Sequence, residues 1–243
     1  MAPKVQIRPA TEADVATIVD IHNDSFGPSL MNRLMYPNGI SAESDAKFGE
    51  SILKQIRNPP SRETGDEQIW LAYLPEENDE VIAFAMWTVF REERPEEEWS
   101  KVASLGEPGP EVNVPFYEEF IGGLHKMRKR WMKGDKGLLL RMLCCRTARH
   151  RLGAGSALLR WGCELADREG LVTWLEASPE GYGAYRKFGF EPVEVQDLKV
   201  VEKWGAAKKL GDNWGEKSAV EFAGEVPEGI YRNAMMRRLP AKA

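Results

Sequence analysis

The sequence has few cysteines and few histidines, and the spacing of both is informative. Two of its three cysteines, Cys144 and Cys145, are adjacent within an apolar segment, and no C-x-x-C pair occurs. This spacing predicts reduced thiols and argues against a disulfide framework. The three histidines are widely separated along the chain, so the sequence predicts no metal centre at His22, His125 or His150.

Long apolar runs and excess positive charge are also missing. No apolar run reaches the length that spans a membrane, and residues 1–10 lack the apolar region of a secretory signal. The 38 acidic side chains outnumber the 33 basic ones, which argues against a broad nucleic-acid surface. We therefore expect a cytoplasmic protein with neither a membrane nor a nucleic-acid partner.

The chain does contain a glycine-rich segment at residues 149–162, R-H-R-L-G-A-G-S-A-L-L-R-W-G. It follows an apolar segment, 138–145, that is typical of a buried strand, and it opens into a helical pattern. Gly153 and Gly155 would let backbone N–H groups approach a phosphate, and the helix N-terminus adds partial positive charge. The segment therefore predicts a phosphate-binding turn.

Three phosphate-binding motifs are candidates for this segment. A P-loop is absent, and the third glycine of a dinucleotide fingerprint is replaced by Leu158. The segment fits a pyrophosphate-binding turn of the form R-x-x-G-x-G/A, with His150 in the first position. On these residues alone, an ordinary glycine-rich turn before a helix is an equal alternative.

A second signature decides between these alternatives. Residues 175–190 read L-E-A-S-P-E-G-Y-G-A-Y-R-K-F-G-F. Together the two segments resemble motifs A and B of the GNAT superfamily of acyl-CoA-dependent N-acetyltransferases, whose motif B usually ends in Y-x-K-x-G-F. The resemblance covers roughly residues 138–193, and four positions carry the motif B ending: Tyr185, Lys187, Gly189 and Phe190.

The resemblance implies an α/β (α+β) GNAT fold. Such a fold has a central, mixed, mostly antiparallel sheet with splayed strands, helices on both faces and, in this chain, a helical insertion. We expect one domain over residues 1–243, with insertions at about 91–136 and 199–229. The first insertion holds a predicted helix at 115–132, which is either a packed peripheral helix or a wall over the acceptor site.

The resemblance also implies acetyl-CoA as co-substrate, without a metal. The strand before the turn would offer main-chain groups to the pantetheine arm around Leu143, Cys144 and Cys145, and a nucleophilic cysteine is the weaker alternative. Ser178 stands where the family often has asparagine, and we assign it to the cofactor site as well. The pyrophosphate would bind backbone N–H groups of Arg151, Leu152, Gly153, Ala154, Gly155 and Ser156.

The implied reaction is direct acetyl transfer to an amine of a small molecule or peptide. Tyr185 matches the family tyrosine that can protonate the leaving thiolate. Glu176 is the first candidate for the base, His22 is the second, and deprotonation through water is also open. Arg33 and Tyr36, in a predicted loop at 27–39, are candidate acceptor contacts.

Two other functions are also open from the sequence. One is a catalytically weak or inactive acyl-CoA-binding module. The other is a protein lysine acetyltransferase, against which the basic run at 126–133 argues, because it would repel a lysine-rich tail. A homodimer is neither indicated nor excluded.

Overall fold

The computed structural model describes residues 4–100 and 109–241. In these ranges seven strands form one sheet in the order β1-β2-β3-β4-β5-β7-β6. The strands are β1 (Gln6–Pro9), β2 (Asp66–Leu74), β3 (Glu80–Phe90), β4 (Gly137–Cys145), β5 (Val172–Ala177), β6 (Glu191–Leu198) and β7 (Tyr231–Arg238). The helices are α1 (Val15–Phe26), α2 (Leu30–Met35), α3 (Ala42–Arg57), α4 (Glu96–Trp99), α5 (Val114–Trp131), α6 (Ala154–Glu169), α7 (Pro179–Lys187), α8 (Val200–Trp204) and α9 (Val220–Ala223).

The sheet is mixed and mostly antiparallel, as predicted. Every neighbouring pair is antiparallel except β4 and β5, which are parallel and joined through α6. A parallel pair needs such a crossover, since a hairpin cannot return the chain in the same direction. In the part of the chain that the structure describes, no helix has the length and apolar character to cross a bilayer.

The parallel pair separates along its length. Residues 137–140 of β4 pair with residues 172–175 of β5, whereas the rest of β4 continues without a β5 partner. At the point of separation, the register of β4 against β3 shifts, so that Arg141 is an extra residue between Leu140 and Met142. A bulge of this kind bends a strand and re-aims its side chains. The predicted gap between the two strands is therefore present, and Arg141 lies beside it.

Different helices cover the two faces of the sheet. Leu158 of α6 and Tyr182 of α7 are buried in one cluster on the first face. The α6 helix is so close to β3 that a Cβ on Gly162 would overlap the buried ring of Trp87, so this position requires glycine. On the second face, α1 and α3 pack over β2 to β4, and α5 packs over β5 and β7.

Helix ends follow the capping residues that the sequence shows. Ser41 Oγ accepts from the N–H of Ser44 at 3.1 Å, and α3 begins at the next residue, Ala42. The segment 27–39, predicted as a loop, instead contains α2. Ser29 caps this helix by accepting from Asn32 N–H at 3.2 Å.

Parts of both predicted insertions form one apolar cluster with α2. Phe116 of α5 and Trp214 are buried there with Leu30 and Met31 of α2, and Trp204 of α8 packs against them. The predicted helix at 115–132 is α5, and the segment 199–229, which the sequence left unassigned, supplies part of the wall around this cluster.

Candidate functional site

The turn between β4 and α6 has an unusual backbone. Arg146 N–H donates to Ile82 O at 2.8 Å, which extends the β3–β4 pairing, and a single 3₁₀ turn follows. Arg151 (φ 66°) and Gly153 (φ 90°) then both adopt the left-handed conformation. A Cβ on Gly153 would meet nothing within 4 Å, so the backbone angle selects glycine there, not lack of space. Left-handed residues within such a turn build concave groups of N–H donors that bind anions.

The N-terminus of α6 opens onto this turn. The first helical hydrogen bond of α6 runs from Ala157 N–H to Gly153 O at 2.9 Å, and the preceding N–H groups have no partner within the helix. The N–H of Gly155 is directed at the Cys145 thiol. The structure thus brings the predicted phosphate-binding residues together around one helix N-terminus: Arg151, Leu152, Gly153, Ala154, Gly155 and Ser156.

Two basic side chains beside the turn are bound to the protein itself. Arg149 forms ion pairs with Glu77, at 2.6 Å, and with Glu80. His150 Nε2 donates to Cys145 O at 3.2 Å, since the partner is a carbonyl. The His150 bond therefore connects the turn to the end of β4. Because both side chains are already paired, we expect an anion to bind mainly to backbone N–H groups.

The end of β4 lines the gap with apolar side chains. Cys145 and Leu143 face α6, whereas Cys144 is fully buried on the side of α1. Burial raises the pKa of both thiols, that of Cys145 to about 11. A thiol that stays protonated is a poor nucleophile, so the structure gives no support to a cysteine nucleophile. Main-chain contacts from Leu143, Cys144 and Cys145 stay a prediction.

Tyr185 lies at the other wall of the gap, on α7. Its buried ring packs edge-on against Phe190, with 6.0 Å between centroids. The ring also lies over Gly181, where a Cβ would come within 2.6 Å of the ring and 3.3 Å of the hydroxyl. No residue that the structure describes hydrogen bonds to the Tyr185 hydroxyl. Burial raises its pKa, as do Cys144 and Cys145 across the gap, so the hydroxyl keeps its proton.

Ser178 has a local structural role. Its Oγ accepts from Gly181 N–H at 3.4 Å, and Pro179 follows at the first helical position, so Ser178 caps α7. The cap orients the helix that carries Tyr185. A contact between Ser178 and a cofactor stays a prediction.

Glu176 is neither solvent-facing nor free. Arg128 of α5 donates to both carboxylate oxygens, with 2.8 Å between Nη2 and Oε2, and the Glu176 side chain is only 6% exposed. To accept a proton, Glu176 would have to give up part of this bidentate pair. Arg128 was not among the residues predicted from the sequence, where the one signal for it is its place in the basic run of the inserted helix. The assignment of Glu176 as base stays a prediction.

A second ion pair borders the gap on the same face. Arg141, at the β4 bulge, pairs with Glu67 of β2 and lies 3.5 Å from Gln55 of α3. His125 of α5 is half-buried nearby, and the charges of Arg128, Glu176 and Arg141 act on its ring. Side chains from β2, β4, β5, α3 and α5 therefore meet beside the gap.

The other candidates from the sequence have structural partners. His22 packs against Phe48 of α3, with 4.5 Å between ring centroids, and its Nδ1 lies 3.1 Å from Asn23 Oδ1. Arg33, expected as an exposed acceptor contact, instead binds Asp212 at 2.8 Å and joins α2 to the second insertion. Tyr36 is half-buried, and burial raises its pKa, with a further contribution from Tyr117 of α5.

Comparisons with known proteins identify the fold. No family model matches the sequence, and no curated protein matches it. A solved mosquito protein, arylalkylamine N-acetyltransferase like 5b, is 13% identical, with a TM-score of 0.58 over 97% of this chain and 100% of its own. The C-terminal condensation domain of Ebony, solved with beta-alanyl-dopamine, is 12% identical, with a TM-score of 0.60 over 98% of this chain and 99% of its own.

A bacterial protein is similar over a comparable length. It is described as histone acetyltransferase HPA2 and related acetyltransferase from Corynebacterium glutamicum, and it is 19% identical, with a TM-score of 0.52 over 100% of this chain and 99% of its own. The chain therefore has the GNAT acetyltransferase fold, which confirms the fold expected from the two motifs. At these identities the likeness is one of fold.

Proposed function

We propose that the protein is an acyltransferase of the GNAT type that moves an acetyl group from acetyl-CoA directly to an amine of a small molecule or peptide. One observation carries the proposal. The N–H-lined turn before α6 opens onto the gap between β4 and β5, and the wall of this gap holds a tyrosine hydroxyl without a hydrogen-bond partner among the described residues.

The donor side fits the residues that are present. Acetyl-CoA would supply an acetyl thioester and a diphosphate. The backbone of residues 151–156 would hold the diphosphate, because the N–H groups at the α6 N-terminus have no helical partner and the left-handed Gly153 leaves open space. The main chain of residues 143–145 would face the pantetheine arm and the acetyl carbonyl, since it has no β5 partner.

The chemistry needs two proton movements. An amine is mostly protonated near pH 7 and must lose a proton before it attacks, whereas the departing thiolate gains from an acid. Tyr185 would hold a proton on its hydroxyl for that thiolate, because burial keeps the phenol neutral. The group that takes the proton from the amine would lie on the side of the gap opposite Tyr185.

The acceptor would bind between α2, α3 and α5. Tyr36 and Tyr117 are both half-buried, Tyr117 helps to raise the pKa of Tyr36, and Arg33 binds Asp212 on the adjoining wall. Two half-buried aromatic side chains favour an acceptor with an apolar or aromatic portion. The solved proteins described as an arylalkylamine N-acetyltransferase and as the Ebony domain with beta-alanyl-dopamine support an amine acceptor. We further propose that the protein acts in the cytoplasm.

The substitution Tyr185→Phe tests the enzyme. We expect kcat to fall about 100-fold or more, because a positioned general acid contributes roughly 10²–10⁴-fold, while the Kd for acetyl-CoA stays within about twofold. Calorimetry measures the Kd, and release of the free thiol of CoA across a panel of amines measures turnover. Tyr182→Phe is the matched control, since its hydroxyl on the same helix binds Glu221 at 2.8 Å and has no catalytic role.

Two results would contradict the proposal. If the wild-type protein does not bind acetyl-CoA in the calorimeter, the donor assignment is wrong. If it binds acetyl-CoA but acetylates none of a broad panel of amines and peptides, the chain is the acyl-CoA-binding module that the sequence left open.

A further inference from the structure

The inserted helix α5 presents a histidine to the side of the gap opposite Tyr185. His125 lies three residues before Arg128, so the two side chains share one side of the helix. Arg128 reaches Glu176 on β5, which fixes the direction in which this side of the helix faces. The half-buried ring of His125 interacts electrostatically with Arg128, Glu176 and Arg141 at the β4 bulge.

Within residues 4–100 and 109–241, His125 differs from the other candidate bases in having no hydrogen-bond partner. No residue that the structure describes hydrogen bonds to its ring, whereas His22 Nδ1 lies against Asn23 and His150 Nε2 binds Cys145 O. The carboxylate of Glu176 is held by two bonds from Arg128. Among these candidates, only His125 both lies beside the gap and has ring nitrogens that form no hydrogen bond with a described residue.

We infer that His125 is the group that accepts the proton of the acceptor amine, and that Glu176 and Arg128 act as positioning residues for the helix that carries it. The inference rests on the proposed function. In the step, an N–H bond of the ammonium breaks and an N–H bond forms at a ring nitrogen of His125. The electron pair stays on the amine nitrogen, which becomes the nucleophile, and His125 later releases the proton to water.

The surroundings of His125 keep its ring neutral and able to accept a proton. Burial lowers its pKa, and the positive charges of Arg128 and Arg141 lower it further, against the opposing effect of Glu176. Arg128 acts on the ring from α5, Arg141 from β4 and Glu176 from β5. Glu67 of β2 forms an ion pair with Arg141. A lowered pKa places the loss of the neutral form below about pH 6.5, the ordinary value for histidine.

The test uses the full chain, acetyl-CoA and the best amine from the acceptor panel. For the wild type we expect kcat to fall below about pH 6.5, and we expect His125→Gln to lower kcat about 100-fold or more and to remove this pH dependence. The Kd for acetyl-CoA should stay within about twofold. Lys126→Gln is the matched control on α5, because Lys126 is exposed at the next position and has no role in the site.

Two further variants separate a base from a structural residue. His125→Ala should regain activity when imidazole is added to the buffer, which a packing defect would not allow. If Glu176 only positions the helix, Glu176→Gln should keep the fall in kcat at low pH. If Glu176→Gln loses this fall and His125→Gln retains it, the base is Glu176 and the inference is wrong.

Failure of the inference can be distinguished from failure of the proposed function. A wild-type protein that turns over, together with a His125→Gln variant of unchanged kcat and unchanged pH profile, overturns the inference alone. A wild-type protein that does not bind acetyl-CoA, or does not turn over, overturns both. If His125→Gln binds acetyl-CoA more weakly or its circular-dichroism spectrum differs from that of the wild type, the imidazole rescue of His125→Ala decides whether His125 is the base.

Discussion

At the scale of single residues, two glycines of α7 differ in the space available for a side chain. The Tyr185 ring fills the space where a side chain at Gly181 would be, whereas a Cβ at Gly183 would meet nothing within 4 Å. We expect Gly181→Ala to displace the Tyr185 hydroxyl and to lower kcat at least tenfold at unchanged acetyl-CoA affinity, since displacement of a positioned group by about 1 Å costs up to 10²-fold.

Gly183→Ala is the control for this prediction. It introduces the same methyl group into the same helix at an exposed position, so kcat should stay within about twofold of wild type. Steady-state kinetics on both variants decides. Equal kcat values for the two would show that the contact between Gly181 and Tyr185 does not position the hydroxyl.

The buried carboxylate of Asp14 makes stability depend on pH. Arg8 binds both of its oxygens, at 2.7 and 2.8 Å, and with Thr11 N–H holds the pKa of Asp14 at about 2, below the ordinary 3.8. A lowered folded-state pKa contributes stability above the unfolded-state value, and this contribution is lost as pH falls from about 4 to 2. At pH 7 it amounts to about 2 kcal/mol.

Asp14→Asn should therefore lower the free energy of unfolding by about 2 kcal/mol at pH 7 and by roughly half as much at pH 3. Urea unfolding at both pH values measures the difference. Asp20→Asn serves as the reference, because Asp20 pairs with Arg146 at an exposed position and such pairs are worth about 0–1 kcal/mol. A cost for Asp14→Asn that does not change with pH would refute the argument.

At the scale of elements, a side chain of β6 binds the backbone of α5. Gln196 Nε2 donates to the helix carbonyls of Glu119 and Phe120 at 3.0 and 3.2 Å, and a Cβ on Gly123 would overlap that nitrogen. Gly123→Ala should break both bonds, lower the free energy of unfolding by about 1 kcal/mol or more, and raise KM for the amine. Thermal unfolding and kinetics with a fixed amine measure these effects.

The neighbouring glycine supplies the comparison. A Cβ on Gly122 would meet nothing within 4 Å, so Gly122→Ala should leave KM unchanged and raise stability by about 0.5–1 kcal/mol, because alanine restricts the unfolded chain. If both variants raise KM alike, the docking of α5 through Gln196 does not shape the acceptor side.

Elements differed in how well the sequence predicted them. The α5 helix followed from its periodicity and α3 from its cap at Ser41, because each signal is local and long enough to read. The α2 helix was missed because its six residues span less than two turns, although Ser29 is a good cap. Its stability comes from packing of Leu30 and Met31 against Phe116, which no local pattern shows.

At the scale of the whole molecule, the fold could be predicted from the sequence, whereas the contacts around the proposed acceptor side could not. The turn at 149–162 and the helix with Tyr185 each lie in one short segment, so motif spacing locates them. The proposed acceptor side is bordered by pairs between distant segments, such as Arg33 with Asp212 and Arg128 with Glu176. Such pairs arise only from folding, and a single sequence carries no record of them.

One feature of α5 connects the two sides of the site. Its body packs on β6 and β7, yet just before its start Asn113 N–H donates to Met35 O of α2 at 2.8 Å, and Glu111 binds Ser41 Oγ at 2.6 Å at the start of α3. The segment from Glu111 through α5 thus connects the two parts of the sheet, β1 to β4 and β5 to β7. Four residue pairs between β4 and β5 join these two parts. Under the proposed function, a change in the spacing of β4 and β5 would also move α5, so the binding of acetyl-CoA would alter the space left for the amine.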